Sequence, residues 1–405
     1  MDNISHTLIG VGFYRMLPKK YRKPESFWAS TVGNNIPDSD VLQRFFPGGD
    51  DLDYIVHHRG YTHSFLFALP LGLAVGMVVN RIFRKPAGSR LGIFVGMFAA
   101  ILHILADFMN DYGIHPLTPF FNRWYYGDSV FIVEPLLWVA LIPVAILTVH
   151  RKWAKTSWAI IGAGLFITLW FIPGLNRPFI LLLTTAAAGL VLLILKTGKE
   201  WIGITSAVLT VLVFLGASST ARGLVTESWE HARLLDERLL DVTSTPAPGN
   251  PICWKSWIRT ENEKYFVSRL AHVSLFPRIV PVGTCLAFDV LPGKALLSPN
   301  LLPSSYRVHW VAQSDLSREL HGELLSKSCR YRKFLNFVRI PYVLPLGKDG
   351  EVVGFVAGDL RYDRGREPGF ADFSFTYSDV CEGSTEWWEP PTKRSGAREL
   401  PRSNE

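Results

Sequence analysis

Seven of the eleven histidines fall in the first 150 residues, and the six that precede Pro116 are interleaved with carboxylates in short clusters. These are Asp2 and His6; Asn35-Ile-Pro-Asp38-Ser-Asp40; His57-His58-Arg59-Gly-Tyr-Thr-His63-Ser64; His103-Ile-Leu-Ala-Asp107; and Asn110, Asp111 and His115-Pro116. Imidazoles and carboxylates at this density suit Zn²⁺ or a similar divalent cation, and no thiolate is needed. One catalytic zinc takes about three protein ligands plus water. The candidates here are enough for one or two ions, and a pair about 3.5–4 Å apart clamps the attacking and leaving oxygens of a displacement. The expected metal ligands are His6, Asp38, His57, His58, His63, His103 and Asp107. Asp107, His115 and Arg59 are the expected catalytic residues. Arg59 either steadies a phosphate through its bidentate fork or snorkels to a membrane interface. Asp2, Asp40 and Asp111 are expected to orient imidazoles from behind. Adjacent His57 and His58 diverge, so one of them suffices as a ligand. Glu134 precedes Pro135 and either caps a helix or joins the site.

The elements that position these residues are apolar. The chain of 405 residues is 48% hydrophobic and only 19% charged, which excludes disorder and argues against an ordinary cytosolic enzyme. A spanning helix needs about 20 mostly apolar residues. Six stretches qualify, near 64–83, 91–109, 130–149, 157–174, 178–195 and 201–220. His103 and Asp107 lie inside the second, four residues apart and so on one helix face. Ionisable groups inside a span are costly and mark function, the alternative being a polar pair that joins two helices. His63 opens the first span, His103 and Asp107 close the second, and Glu134 begins the third. The start of one span and the end of the next lie at the same membrane face, so the clusters converge on one interface. The segment Ile4–Leu17 is too short to span and reads as a helix lying in or dipping into that interface.

Orientation follows from Lys and Arg in short loops. Arg81, Arg84, Lys85 and Arg90, then Arg151, Lys152 and Lys155, then Lys196 and Lys199 occupy alternate loops, which places those loops in the cytoplasm. The histidine clusters and everything after Ala221 are then outside. Lys19, Lys20, Arg22 and Lys23 disagree, because this reading puts them outside too. The net charge of +7 is largely topology-setting and implies no nucleic acid.

The fold expected is an α-helical integral membrane domain of about six spanning helices followed by a β-rich α+β soluble domain. Residues 1–63 form an N-terminal metal-ligand segment with an interfacial helix, and residues 64–221 the transmembrane domain. Residues 222–245 read as a connecting helix, with a linker at Thr245-Pro-Ala-Pro-Gly-Asn-Pro251. Residues 246–382 form the β-rich domain and 383–405 a disordered tail. Strand-like alternation marks Tyr265–Arg269, Tyr306–Val311 and Phe337–Tyr342. A hairpin is expected over Tyr342–Ala357 around Asp349-Gly350. Cys253, Cys285, Cys329 and Cys381 have no zinc spacing, and form up to two disulfides or remain buried thiols.

The start Met1-Asp-Asn-Ile-Ser-His6, the Asn35–Asp40 segment, His58-Arg-Gly-Tyr-Thr-His63-Ser64 and His103-Ile-Leu-Ala-Asp107 resemble the YdjM-like family over about residues 1–150. Its members are bacterial inner-membrane proteins classed as metal-dependent hydrolases. Ser5 stands where Thr is usual in that family. The family is distantly similar to zinc-dependent phospholipase C, an all-helical fold, and this implies phosphoester hydrolysis. The resemblance does not explain the C-terminal domain. Lipid phosphatases related to phosphatidic acid phosphatase share His-x-x-x-Asp but also need a Pro-Ser-Gly-His motif, absent here, and HExxH of the intramembrane metalloproteases is absent as well.

The expectation is therefore a multi-pass protein of the bacterial inner membrane with a periplasmic C-terminal domain. Its cofactor is a divalent metal, zinc first, and it hydrolyses a lipid or lipid-linked phosphoester at the outer interface. A non-catalytic anchor or stress-response scaffold and a His/Asp-relay transporter are the alternatives. No protein partner of the C-terminal domain is indicated.

Overall fold

A computed structural model describes residues 1–45, 51–86, 88–121, 123–171, 177–232, 236–288, 302–348, 351–362 and 370–376. These residues fall into two compact units. The first holds residues 1–45, 59–219 and 245–252, and the second holds residues 51–58, 220–244 and those from 253 onward.

The first unit is helical. Helix α1 (Asn3–Met16) starts at Asp2, whose carboxylate accepts from the Ile4 and Ser5 amides, each at 2.9 Å. Helix α2 (Pro24–Gly33) opens on a proline, which costs no hydrogen bond at that position. A 3-10 stretch, Ile36–Phe45, follows and carries Asp38 and Asp40. Helix α3 (Asp51–His57) belongs to the second unit. A 3-10 turn at Tyr61–His63 leads into α4 (Phe65–Ile82), capped by the Ser64 hydroxyl. Then come α5 (Arg90–Phe108), α6 (Pro135–Thr148), α7 (Lys152–Phe171), α8 (Arg177–Thr197) and α9 (Glu200–Ala232).

Among the described residues four helices, α4, α5, α8 and α9, are long and apolar enough to cross a membrane, fewer than the six spans expected. The expected third span yields only the 14 residues of α6. Residues before it are held otherwise: Ser129 and Val130 donate to the Met109 carbonyl, and Ile132 accepts from the Asp2 amide. Helix α7 is not among the four.

Helices α4 and α5 meet through glycine. A Cβ on Gly72 would lie 2.5 Å from the Gly96 carbonyl oxygen, and one on Gly76 equally close to that of Gly92. Small residues let backbones approach in this way where lipid offers no hydrophobic drive for helix association. Ala29 of α2 packs with Val75, Val79 and Val95 of this pair.

The chain after Ala221 departs from expectation. No separate connecting helix forms, because the buried stripe Ala221, Val225, Trp229 recurs every fourth residue and carries α9 on to Ala232. The expected linker is instead a hairpin between β1 (Arg238–Ala247) and β2 (Asn250–Glu261). Its turn uses Gly249 at φ +66°, a conformation open to glycine.

Strands β1 and β2 join β3 (Tyr265–Ser274) and β4 (Val308–Ser317) in a sheet of order β1-β2-β3-β4. Helices α10 (Arg318–Lys327) and α11 (Cys329–Phe334) follow. A second sheet pairs β5 (Pro341–Lys348), β6 (Glu351–Asp359) and β7 (Phe373–Phe375). The β5–β6 pairing matches the expected hairpin, with Tyr342 opposite Gly358; its Asp349-Gly350 turn lies outside the described residues. Trp257, Leu270 and Ala312 from the first sheet share a core with Ile340, Tyr342 and Leu360. Cys253 is bonded to Cys285 and Cys329 is also disulfide-bonded, so the thiol alternative is excluded for these three. The tail 383–405 lies outside the described residues.

Candidate metal centre

Four side chains from three separate segments of the first unit converge. Asp38 comes from the 3-10 stretch, His63 from the turn before α4, and His103 and Asp107 from the last turns of α5. Nε2 of His63 lies 3.1 Å from Nε2 of His103. Asp38 Oδ1 is 3.4 Å from the first and 3.5 Å from the second. Asp107 Oδ2 is 3.2 Å and 3.4 Å from the same two nitrogens. All four ligand atoms lie within 4.8 Å of one another.

The tautomers follow from the outer nitrogens. His103 Nδ1 lies 2.9 Å from the Asn34 carbonyl oxygen, which only accepts, so Nδ1 carries the proton. His63 Nδ1 lies 3.1 Å from the Thr62 hydroxyl, which itself donates to Asp40 Oδ2 at 3.2 Å. That hydroxyl therefore accepts from Nδ1. Both Nε2 atoms then present lone pairs to each other and to two carboxylate oxygens. Burial pushes the His63 imidazole down to about 3, against the pull of Asp38, which keeps it neutral. Four acceptors facing inward with no proton between them repel unless a cation lies at their centre.

The spacing fits such an ion. Four donors placed tetrahedrally at about 2.0–2.1 Å from zinc lie about 3.3–3.4 Å apart. Five of the six separations here run from 3.1 to 3.5 Å. His63, His103 and Asp107 are fully buried, whereas the Asp38 side chain keeps 13% of its exposure. Solvent therefore reaches the group on the Asp38 side.

His6 sits beside this group. Its Nε2 is 3.2 Å from Asp107 Oδ1, its Nδ1 is 3.3 Å from Asn34 Oδ1, and its ring stacks on His103 at 3.8 Å. The amino group of Met1 also contacts Asp107 Oδ1. Arg59 is buried, not interfacial. Its Nε is 3.2 Å from Asp107 Oδ2, it donates to Asn110 Oδ1 at 3.0 Å, and its guanidinium covers the Tyr112 ring. Its backbone is held at φ 62°, a strained value for a side chain of this size, with its amide donating to Asp40 Oδ2 at 3.0 Å. Strain of this kind collects at functional sites.

The other expected residues lie as follows. His57 and His58 belong to the second unit, where the His58 ring stacks on Tyr54. His115 is buried with its ring 3.9 Å from that of Trp124, and is not a member of the four-residue group. Asp40 stands behind His63, 3.7 Å from its Nδ1. Asp2 caps α1, and Asp111 accepts from the Thr245 hydroxyl at 2.7 Å. Glu134 caps α6 through the Leu136 amide and accepts from the Gly249 amide. Burial pushes its carboxyl up to about 8. Sequence reasoning missed Asn34 and Thr62. Thr62 was visible inside the His58–Ser64 string, but nothing in the sequence distinguished Asn34 from its neighbour Asn35.

Residues 1–177 match the family model described as YdjM inner membrane protein. No curated protein matches the chain, and no solved structure does.

Proposed function

We propose that the chain is an integral-membrane hydrolase of phosphoester or lipid-linked substrates, dependent on a divalent cation, zinc first. The observation that carries this reading is the inward-facing set of two imidazole lone pairs and two carboxylate oxygens from Asp38, His63, His103 and Asp107. A bound cation supplies Lewis-acid polarisation and lowers the pKa of water toward neutrality. Each residue has a stated part. His63 and His103 are held as neutral donors by Thr62 and by the Asn34 carbonyl. Asp107 offers one oxygen to that group and the other to His6, and so stands where a second ion would be shared. Asp38, the partly exposed member, lies where water and substrate enter. Arg59 presents a fixed guanidinium beside Asp107 and orients a phosphoryl oxygen.

A lipid-linked substrate fits a site at the ends of apolar helices. The basic alternate loops favour placing that site at the outer face of a bacterial inner membrane, with the C-terminal unit periplasmic. The Cys253–Cys285 bond supports an oxidising compartment for that unit. Four protein donors also suit a structural zinc, which would leave no activity behind.

The test is elemental analysis of the detergent-purified full chain, with hydrolysis of phosphomonoester and phosphodiester probes measured in parallel. One or two ions per chain are expected, lost in His63→Ala and Asp107→Ala, together with metal-dependent hydrolysis. Folded protein without metal overturns the reading. Metal without hydrolysis of any probe leaves only the structural role and overturns the catalytic one.

A further inference from the structure

Four cations in the turn between α1 and α2, Lys19, Lys20, Arg22 and Lys23, contradict the charge rule if all of residues 1–63 lie on the side of the metal centre. The packing of α1 and α2 removes the contradiction. At one end of this pair, His6 reaches Asp107, and Asn34 reaches both His103 and the Ala99 carbonyl. At the other end, Arg15 pairs with Glu200, the first residue of α9, which follows directly on Lys196 and Lys199. Glu25 pairs with Lys85 at 3.7 Å, in the loop between α4 and α5. Both partners belong to the basic loops at the end of the helices remote from the metal centre. The 14 residues of α1 cover about 21 Å at 1.5 Å per residue, which accounts for the separation of its two ends.

The contacts along the pair are of the kind found between helices in lipid. A Cβ on Gly10 would lie 2.8 Å from the Ser30 carbonyl oxygen, and the Ser30 hydroxyl donates to the Gly10 carbonyl at 2.6 Å. A Cβ on Gly33 would lie 2.8 Å from the Gly96 carbonyl oxygen. Small residues and a hydroxyl thus bring three helices into backbone contact. Outward, the pair exposes Met16, Trp28 and Val32, and beside the turn Tyr21. An aromatic beside exposed lysines matches a headgroup boundary.

We infer that α1 and α2 form a hairpin set lengthwise in the membrane, whose basic 17–24 turn contacts anionic lipid headgroups of the leaflet that faces the other basic loops. The segment is then part of the bundle and not a helix lying on the surface beside the metal centre. All the basic loops fall on one side, and Met1 and the metal centre share the other. The inference needs no metal and does not depend on hydrolysis.

Lys20→Cys, Arg151→Cys and Phe120→Cys in the full chain, all exposed positions, are to be labelled with a membrane-impermeant maleimide. Right-side-out and inverted membrane vesicles serve as substrates, and the unsubstituted chain corrects for native cysteines. Lys20→Cys is expected to label from the same side as Arg151→Cys and the opposite side from Phe120→Cys. Labelling of Lys20→Cys together with Phe120→Cys overturns the hairpin. For the headgroup contact, phosphatidylglycerol retained per chain is measured in nanodiscs of mixed phosphatidylglycerol and phosphatidylcholine. The triple variant Lys19→Gln, Lys20→Gln, Lys23→Gln is expected to lose at least half of that enrichment. Equal enrichment in the variant overturns the contact.

Discussion

Thr62→Val isolates the orientation of one candidate ligand from its presence. The substitution keeps the shape of the side chain and removes only the hydroxyl that lies 3.1 Å from His63 Nδ1 and 3.2 Å from Asp40 Oδ2. Without it, the Nδ1 proton faces Asp40 directly at 3.7 Å, beyond hydrogen-bonding range. The imidazole then loses what fixes its tautomer, and Nε2 no longer presents its lone pair all of the time. Loss of an outer partner of a ligating histidine costs about 10–100-fold in metal affinity, or about 1.4–2.7 kcal/mol. Chelator competition for zinc on detergent-purified protein measures this directly, alongside His63→Ala, where binding should be lost. Circular dichroism and size-exclusion profiles of all three proteins should coincide, because Thr62 sits in a short turn and supports no helix cap. Unchanged affinity in Thr62→Val, with His63→Ala metal-free, would show that Thr62 does not set the tautomer. Full metal content in folded His63→Ala would remove the centre altogether.

Arg59→Lys should retain metal, yet lower kcat/KM toward phosphoester probes at least tenfold, since an ammonium cannot reproduce the planar fork; unchanged kcat/KM excludes Arg59 from substrate binding. In the second unit, Glu237 accepts from Arg269 at 2.6 and 2.7 Å and from the Thr260 hydroxyl at 2.8 Å, all buried. Glu237→Ala removes the carboxylate paired with the buried Arg269 guanidinium, leaving it the neutral partner Gln313 at 2.8 Å, and should destabilise that unit by about 3 kcal/mol, read as protease sensitivity after residue 236. His321, half-buried against Phe266 and bonded to the Tyr331 hydroxyl, is pushed down to about 4 by burial and then by Arg259 and Arg318. The unfolded chain protonates this imidazole first, so its contribution is complete above pH 6.5 and is lost as pH falls from there through 4. At full burial that interval is worth about 3 kcal/mol, and partial exposure brings it to about 2 kcal/mol. Pulse proteolysis between pH 7.5 and 4.5 should show the loss in the native chain and a flatter profile in His321→Gln.

Local chemistry made much of the candidate metal centre legible. His103 and Asp107 declare themselves because helical spacing puts them on one face inside an apolar run, where an ionisable pair needs a reason to exist. The His58–Ser64 string places His63 at the head of a helix, and the alternation of basic loops gives the bundle its two ends. The β5–β6 hairpin was likewise written in Asp349-Gly350 between two apolar runs. These signals are local: each depends on neighbours within a few positions, and on whether a residue prefers lipid, water or protein.

Partner choice across long stretches of chain was decided by packing. Asp38 joins His63 and His103 because α2 lies against α5 through Gly33 and Gly96, and no periodicity in residues 24–45 announces that contact. Asn34 became the anchor of two imidazoles through a backbone carbonyl and one amide oxygen, 69 residues from His103 and 28 from His6. The same packing joins Ile4–Leu17, expected as a helix lying in or dipping into the interface, to α2 and α6; the side of Lys19–Lys23 rests on the hairpin inferred above. The continuation of α9 through Ala221 had the same origin, since a buried stripe extended a helix past the point where composition changes. Sequence pattern records how each residue relates to its solvent. Which buried faces meet is set by backbone approach and shape, and those exist only once the helices are assembled.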